Sequence, residues 1–203
     1  MNDLAVPAGD NWTEVTIPIM ELVGRLGHWF LVTLLLFVLP FAVVNGWSAL
    51  VPPPLSAAFL GDVALGVAVL VGIYVLSVPI HEGLHAVGMI LTGTPITAIT
   101  FGAKLKQGVV YIHCSRPMPL TAYRFALLLP VLFTALLPGA VGVVVGSVWV
   151  VLYAALMFIS AIGDLEMVWR LRHLPPATLV RDHPDLLGCE VRLPRDGGDV
   201  ESG

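Results

Sequence analysis

The chain has 203 residues, of which 57% are hydrophobic and only 12% are charged, and its mean hydropathy is +0.90. Soluble domains carry about 25% charged residues, so this composition excludes an ordinary soluble globule, and its hydrophobicity excludes intrinsic disorder. The formal net charge of −4 gives no basic excess and argues against a nucleic-acid partner. We therefore expect an integral membrane protein whose surroundings are the lipid bilayer.

Long gaps between charged residues predict the membrane-spanning helices. No charged residue lies between Arg25 and Asp62, between Asp62 and Glu82, or between Arg124 and Asp164. A spanning helix needs about 20 apolar residues, so the last gap is long enough for two helices. The predicted spans cover about residues 28–50, 63–91, 123–137 and 143–169, with Pro138-Gly139 as the turn between the last two.

The ten Lys and Arg residues predict the orientation, because these residues stay on the cytoplasmic side. Four spans with both termini in the cytoplasm place all ten on that side. We therefore expect a multi-pass protein of the cell membrane with three regions. These are a cytoplasmic or interfacial segment at 1–27, a four-helix membrane domain at 28–172, and a cytoplasmic tail at 173–203 that is disordered after Pro194.

Residues 94–120 form an insertion between the second and third helices and are rich in Thr, Ile, Val and Gly. Ile96–Phe101 and Val109–His113 are predicted as short strands, with Lys104–Gly108 as the turn between them. The predicted fold is thus all-α, with four transmembrane helices and a short β-hairpin-like insertion on the cytoplasmic side. Such a hairpin could hold an extended substrate by strand addition.

The second predicted helix contains His81-Glu82-Gly83-Leu84-His85, which matches the H-E-x-x-H pattern. Residues i and i+4 share one face of a helix, so His81 and His85 can bind one zinc ion, with Glu82 as general base toward zinc-activated water. The composition gives about 0.005 expected chance matches to such a pattern. A hydrogen-bonded polar cluster that only packs helices is the alternative, but ionisable groups inside a membrane cost about 2.5–3.5 kcal/mol each.

A catalytic zinc site usually has three protein ligands, and Asp164 on the fourth predicted helix is our candidate for the third. Asp164 and Glu166 point about 200° apart on a helix. Glu166 has Arg170 at i+4, which favours a surface ion pair, so we assign Glu166 as an interfacial charge. Asp164 has no cation one turn away in the sequence, and the alternative for it is a helix-end acid that reaches the interface. His113 and Cys114 are weaker candidate ligands.

The chain resembles the site-2 protease type of intramembrane zinc metallopeptidase, in which H-E-x-x-H on one membrane helix is completed by an aspartate from a later helix. It resembles more closely a small four-helix family described as "putative zincin peptidase". The similar segments are HEGLHAVG at 81–88, YIHC at 111–114, PLTAYRFALLLP at 119–130, SAIGDLEM at 160–167 and DHPDLLGC at 182–189. The resemblance implies His81, His85 and Asp164 as zinc ligands and Glu82 as the catalytic acid/base.

These patterns predict an intramembrane zinc metalloendopeptidase that hydrolyses peptide bonds of membrane-embedded or juxtamembrane substrates, with a membrane protein or peptide as its partner. Two alternatives remain at this point. One is a non-catalytic zinc-binding membrane protein that acts as a regulator or assembly factor. The other is a metal transporter, which is disfavoured because the sequence carries no second acidic stripe along a pore.

Overall fold

A computed structural model describes residues 12–104, 109–183 and 188–194, and the chain is mostly helical, at 69%. The α-helices are α1 (Ile19–Thr33), α2 (Leu39–Asn45), α3 (Ala57–Leu91), α4 (Leu120–Pro130), α5 (Leu137–Val145), α6 (Val148–Ser160) and α7 (Ile162–Arg170). The strands are β1 (Thr13–Thr16), β2 (Ile99–Lys104), β3 (Val109–Cys114), β4 (Met118–Pro119), β5 (Leu179–Asp182) and β6 (Gly188–Arg192). Two π-helical segments, Leu34–Val38 and Val131–Leu136, join α1 to α2 and α4 to α5, and single 3-10 turns lie at Trp47–Leu50 and Ile96–Ala98.

The structure supports three to four membrane spans. Met20–Asn45, Ala57–Leu91 and Leu120–Val145 are each long and apolar enough to cross a bilayer. A fourth span requires α6 and α7 to act together, and these two helices are bent by 48° at the break between them. These three or four apolar helices are compatible with the predicted multi-pass membrane protein. The cell membrane, the orientation of the termini and the three-region division stay predictions.

The predicted turn at Pro138-Gly139 is wrong. The helix continues through Pro138, which lies in the first turn of α5 directly after the π-helical segment Val131–Leu136. A proline lacks the N–H that would hydrogen-bond one turn back, and the π-helical segment directly before Pro138 is where this break in the hydrogen-bond ladder is accommodated. The chain instead turns at Gly146, whose φ of +67° is a left-handed conformation that favours glycine.

Helix α3 buries one polar stripe and exposes apolar side chains elsewhere. Ser77, His81, His85 and Gly88 are buried, whereas Leu76, Ile80 and other large apolar residues of the helix are exposed. Spacings of three and four residues place these polar and small residues on one face. The spacing of polar and small residues in the sequence predicts an inward-facing stripe made of Tyr74, Ser77, His81, His85, Gly88 and Thr92. The structure confirms its central members from Ser77 to Gly88, whereas Tyr74 is half-buried and Thr92 is exposed. The apolar remainder of the helix suits a lipid environment.

The predicted hairpin is confirmed as an antiparallel ladder of β2 and β3, in register from Ile99 opposite Cys114 to Lys104 opposite Val109. Its first strand begins later than expected because Ile96–Ala98 form a 3-10 turn after Pro95. The predicted turn falls largely on residues 105–108, which lie outside the described part of the chain.

The predicted all-α fold with one hairpin-like insertion is correct for the mostly helical character of the chain, but it misses a second sheet. Strands β1 and β5–β6, with the short β4, form a four-stranded antiparallel sheet in the order β1-β6-β5-β4. Alternation in β6, where Cys189 and Val191 are buried and Glu190 is more exposed, gives this sheet one apolar face. The predicted disorder after Pro194 concerns residues outside the described range.

The chain divides into two compact units. The first comprises the described parts of Met1–Glu21, Leu84–Leu128 and Gly163–Gly203, and it contains the hairpin and the four-stranded sheet. The second comprises Leu22–Gly83 and Leu129–Ile162, and it contains mainly helices. Helix α3 runs without a break from the second unit into the first.

Two glycines of α3 should respond in opposite ways to alanine. A Cβ at Gly88 would lie 2.7 Å from the Ala126 Cα, whereas a Cβ at Gly72 would meet no heavy atom within 4 Å. We expect Gly88→Ala to lower the free energy of unfolding by about 1–3 kcal/mol through overpacking. Gly72→Ala should raise it by up to about 1 kcal/mol because alanine is the better helix former.

Thermal unfolding of both variants in the same detergent measures this difference, with the wild-type protein as reference. An equal stability of the two variants would contradict the close approach of α3 and α4 at Gly88.

Both cysteines should be unreactive in the folded protein. Burial raises the pKa of the Cys114 thiol, and burial followed by the negative charge of Asp182 raises the pKa of Cys189 to about 12. At pH 8 a thiol with that pKa is ionised to only about one part in 10,000, and the thiolate is the reactive form. Alkylation by iodoacetamide at pH 8 should therefore label neither residue until the protein is denatured, and stoichiometric labelling of the native protein would refute this.

Candidate metal centre

Helix α3 positions His81 and His85 one turn apart on its buried stripe. Both histidines are about 7% exposed. The helix continues through Pro79 and on to Leu91, so the spacing of the two imidazoles follows from one unbroken α-helix.

A backbone carbonyl orients the ring of His85. The His85 Nδ1 atom lies 2.9 Å from the Ala126 carbonyl oxygen on α4. A carbonyl oxygen only accepts, so Nδ1 carries the hydrogen, and the lone pair of the neutral ring lies on Nε2. A histidine that binds a metal commonly donates its other ring N–H to such a carbonyl.

Thr134 favours the same tautomer for the ring of His81, with the hydrogen on Nδ1. The Thr134 hydroxyl lies on the π-helical segment and donates to the Pro130 carbonyl at 2.8 Å. Its single hydrogen is thereby used, so it accepts from the His81 Nδ1, which lies 3.4 Å away. Both histidines consequently present Nε2 as the nitrogen that can bind a metal.

The break between α6 and α7 places Asp164 in the first turn of α7. An acidic residue is favoured in that position by the helix dipole. The Asp164 Oδ2 lies 3.6 Å from the His85 Nε2, and its side chain is 21% exposed. The Asp164 carboxylate therefore lies beside Nε2 of His85, the ring nitrogen that carries the lone pair because Nδ1 donates to the Ala126 carbonyl.

His81, His85 and Asp164 form a group that could hold a metal ion. One ligand atom from each lies within 4.8 Å of the others. Two ligands at about 2.0–2.1 Å from a tetrahedral zinc are about 3.3 Å apart, close to the separation of 3.6 Å between His85 and Asp164. Two imidazoles and a carboxylate are also a donor set that zinc accepts in catalytic sites, so these residues fit zinc.

Glu82 follows the first histidine of this group and is partly buried. Adjacent residues on an α-helix point about 100° apart, so its carboxylate does not occupy the same position as the two imidazoles. Glu82 is also not a member of the group of three residues that could hold a metal ion.

The assignment of Glu166 as an interfacial charge is wrong. Its side chain is buried, with only 2% of its surface exposed. The expected partner Arg170 instead forms an ion pair with Glu21, with 2.6 Å between Nη2 and Oε2, and it donates to the Thr16 carbonyl at 3.4 Å. A partner distant in the sequence thus replaces the i+4 pair.

The weaker candidate ligands His113 and Cys114 do not belong to the metal-binding group found among the described residues. The Cys114 thiol donates to the Arg116 carbonyl at 3.4 Å. The backbone N–H of Cys114 donates to the Asp182 Oδ2 at 2.7 Å.

Sequence reasoning missed the residues that support the metal ligands. Ala126 contributes only a carbonyl, which no side-chain pattern reveals. Thr134 lies in an apolar helix as a single hydroxyl and carries no motif.

Comparison with known proteins gives one family. The family described as "putative zincin peptidase" matches residues 74–179, which is more than half of the chain and includes the group of His81, His85 and Asp164. Neither the curated proteins nor the solved structures give a match. Zincins are zinc peptidases, so the family implies the same metal as the donor set. The chain belongs to the "putative zincin peptidase" family.

Proposed function

We propose that the protein is an intramembrane zinc metalloendopeptidase of the site-2 protease type, which hydrolyses peptide bonds of membrane-embedded or juxtamembrane substrates. The observation that carries the proposal is the metal-binding group of His81, His85 and Asp164. Its two histidines and Glu82 lie on α3, which is apolar and long enough to cross a membrane. The family match supports the peptidase chemistry.

The ligands in this proposal are the Nε2 atoms of His81 and His85 and a carboxylate oxygen of Asp164. When bound, zinc supplies a Lewis acid that lowers the pKa of water to about 7 and polarises a carbonyl. Glu82 accepts the proton of the attacking water and passes it to the leaving amine, as a general base and then a general acid. The hydrogen bonds to Ala126 and Thr134 hold the two imidazoles in the required tautomer.

The position of the group along α3 supports a substrate at or within the membrane surface. His85 lies six residues before the end of α3 and His81 lies ten residues before it, which is about 9 and 15 Å along the axis. A peptide bond that reaches this depth belongs to a segment in the bilayer or just outside it, while water can reach the site from the near end of the helix.

The hairpin of β2 and β3 offers a place for an extended substrate. Its two strands form a sheet of their own in the described part of the chain, so each has an outer edge available for strand addition. Contact between this hairpin and the substrate is part of the proposal.

Glu82→Gln tests the proposed mechanism. The amide cannot accept the proton of water, so we expect peptidase activity to fall by about 100- to 10,000-fold, the usual contribution of a general base. Zinc content should remain that of the wild type, because Glu82 is not a proposed ligand. The measurement is cleavage of a membrane-anchored reporter by purified protein in vesicles, with zinc determined on the same samples.

Wild-type activity in the Glu82→Gln protein would refute the mechanism. Zinc binding with no cleavage of any tested membrane peptide by the wild type would instead support the alternative, a non-catalytic zinc-binding regulator or assembly factor.

Removal of the proposed ligands should abolish zinc binding. His81→Ala and Asp164→Ala each remove one of three protein ligands, so we expect purified protein to retain far less than one zinc per chain. Matched controls are His28→Ala and Asp62→Ala, which remove an exposed residue of the same type at positions outside the group. Elemental analysis after dialysis gives the zinc content.

Equal zinc content in the ligand variants and their matched controls would show that the metal binds elsewhere. Loss of zinc in all four variants would point to general unfolding and would remove the support for this ligand set.

A further inference from the structure

Arg124 is a cation on α4 that the proposed mechanism does not use. It lies two residues before Ala126, whose carbonyl orients His85. The Arg124 Nη2 donates to the Leu171 carbonyl, directly after the end of α7. The Arg124 Nε is buried and has no hydrogen-bond partner within the part of the chain that the structure describes. A buried donor without an acceptor costs free energy, so stability alone does not favour an arginine at this position.

The Leu171 carbonyl is part of the C-terminal end of α7. The Leu171 N–H donates to the Met167 carbonyl at 3.0 Å, so the hydrogen bonding of the helix extends to this residue. Leu171 is also fully buried. The last carbonyls of a helix lack donors within the helix, and a cation is favoured beside them by the helix dipole. Arg124 therefore binds the end of α7 from a different helix.

Asp164 lies in the first turn of α7, at the opposite end of this short helix. It precedes Leu171 by seven residues, which is about two helical turns. Helix α7 begins at a break that follows α6, so continuity with the preceding helix does not by itself set its direction. Contacts at the C-terminal end of α7 consequently help to decide where the Asp164 carboxylate lies.

Three contacts connect α3, α4 and α7 in a closed circuit within the first compact unit. The His85 Nδ1 lies 2.9 Å from the Ala126 carbonyl oxygen and joins α3 to α4. The hydrogen bond from Arg124 to Leu171 joins α4 to α7. The Asp164 Oδ2, 3.6 Å from the His85 Nε2, joins α7 back to α3. A change in the second contact therefore alters the third, which is the separation of two proposed zinc ligands.

We infer that Arg124 is a positioning residue of the metal centre. By holding the C-terminal end of α7 to α4, it keeps the Asp164 carboxylate at the distance from the His85 Nε2 at which both can bind one zinc ion. The inference rests on the proposed zinc function and assigns a role to a side chain outside the ligand set. Residues that orient metal ligands typically contribute about 10- to 100-fold to metal affinity or activity.

The test is Arg124→Met in the full-length protein in detergent, because methionine keeps much of the apolar stem and removes every donor. Zinc affinity is measured by competition with a chelator, and the absorption spectrum of the cobalt-substituted protein reports the ligand geometry. We expect zinc to bind about 10-fold more weakly, the lower end of the usual range, because Arg124 acts on Asp164 through a helix. The visible cobalt bands should change as the carboxylate moves.

Arg172→Met is the matched control. The Arg172 Nη1 donates to the Trp169 carbonyl at 2.6 Å, and the guanidinium lies 4.0 Å from the centre of the Trp169 ring. Arg172 thus also binds a carbonyl at the end of α7, but it comes from the same segment and does not connect α7 to α4. Its replacement should leave zinc affinity and the cobalt spectrum unchanged. The control separates the link between helices from the loss of a cation beside the helix end.

The inference is overturned if Arg124→Met keeps wild-type zinc affinity and the wild-type cobalt spectrum, or if Arg172→Met loses as much affinity. Should Arg124→Met fail to fold, Arg124→Gln takes its place, since the shorter amide does not reach Leu171, and the same outcomes decide.

Zinc affinity is measured without substrate, so a failure of the peptidase proposal in the Glu82 experiment would leave this comparison separately readable. A wild-type protein that binds no zinc would overturn the proposed metal centre and this inference together. Zinc binding by the wild type with an unaffected Arg124→Met protein would overturn this inference alone.

Discussion

The hydrogen bond from His85 to the Ala126 carbonyl is the constraint on which the metal centre depends. A backbone carbonyl cannot donate, so this one contact decides which ring nitrogen presents its lone pair. The carbonyl is available at that place because Gly88 lets the backbones of α3 and α4 approach closely. Local helix geometry sets the spacing of the two histidines, and packing between helices sets the ring tautomer in which they can bind a metal.

The features that followed from the sequence are those set by local periodicity. Apolar runs predicted the spans, the spacing of three and four residues predicted the central part of the buried stripe of α3, and two segments rich in Thr, Ile and Val around a turn predicted the hairpin. The H-E-x-x-H pattern likewise placed His81 and His85 on one face, because an unbroken helix leaves no other arrangement. Each of these depends on residues that are close to one another in the sequence.

The predictions that were wrong rest on simple local rules that the surrounding structure overrides. Pro138 was read as a turn, but the preceding π-helical segment lets a proline begin a new helical stretch, and the chain turns at Gly146. Glu166 was paired with Arg170 by the i+4 rule, yet Arg170 pairs with Glu21. The rule concerns isolated helices, where such a pair contributes only about 0.2–0.5 kcal/mol, and packing against the N-terminal segment easily outweighs it.

Burying the ionisable metal ligands costs free energy, which explains why residues that are not ligands also hold the metal centre in place. Ionisable groups in a membrane cost about 2.5–3.5 kcal/mol each near the centre of a helix, and His81 and His85 are buried on one helix with Asp164 beside His85. A bound cation offsets part of this cost, and binding to the folded state alone stabilises that state by mass action. Metal binding and folding are therefore linked, so any residue that sharpens the ligand geometry also stabilises the fold when zinc is present. On this view the Ala126 carbonyl and the Thr134 hydroxyl, which orient the two imidazoles, contribute to metal affinity as well as to the fold.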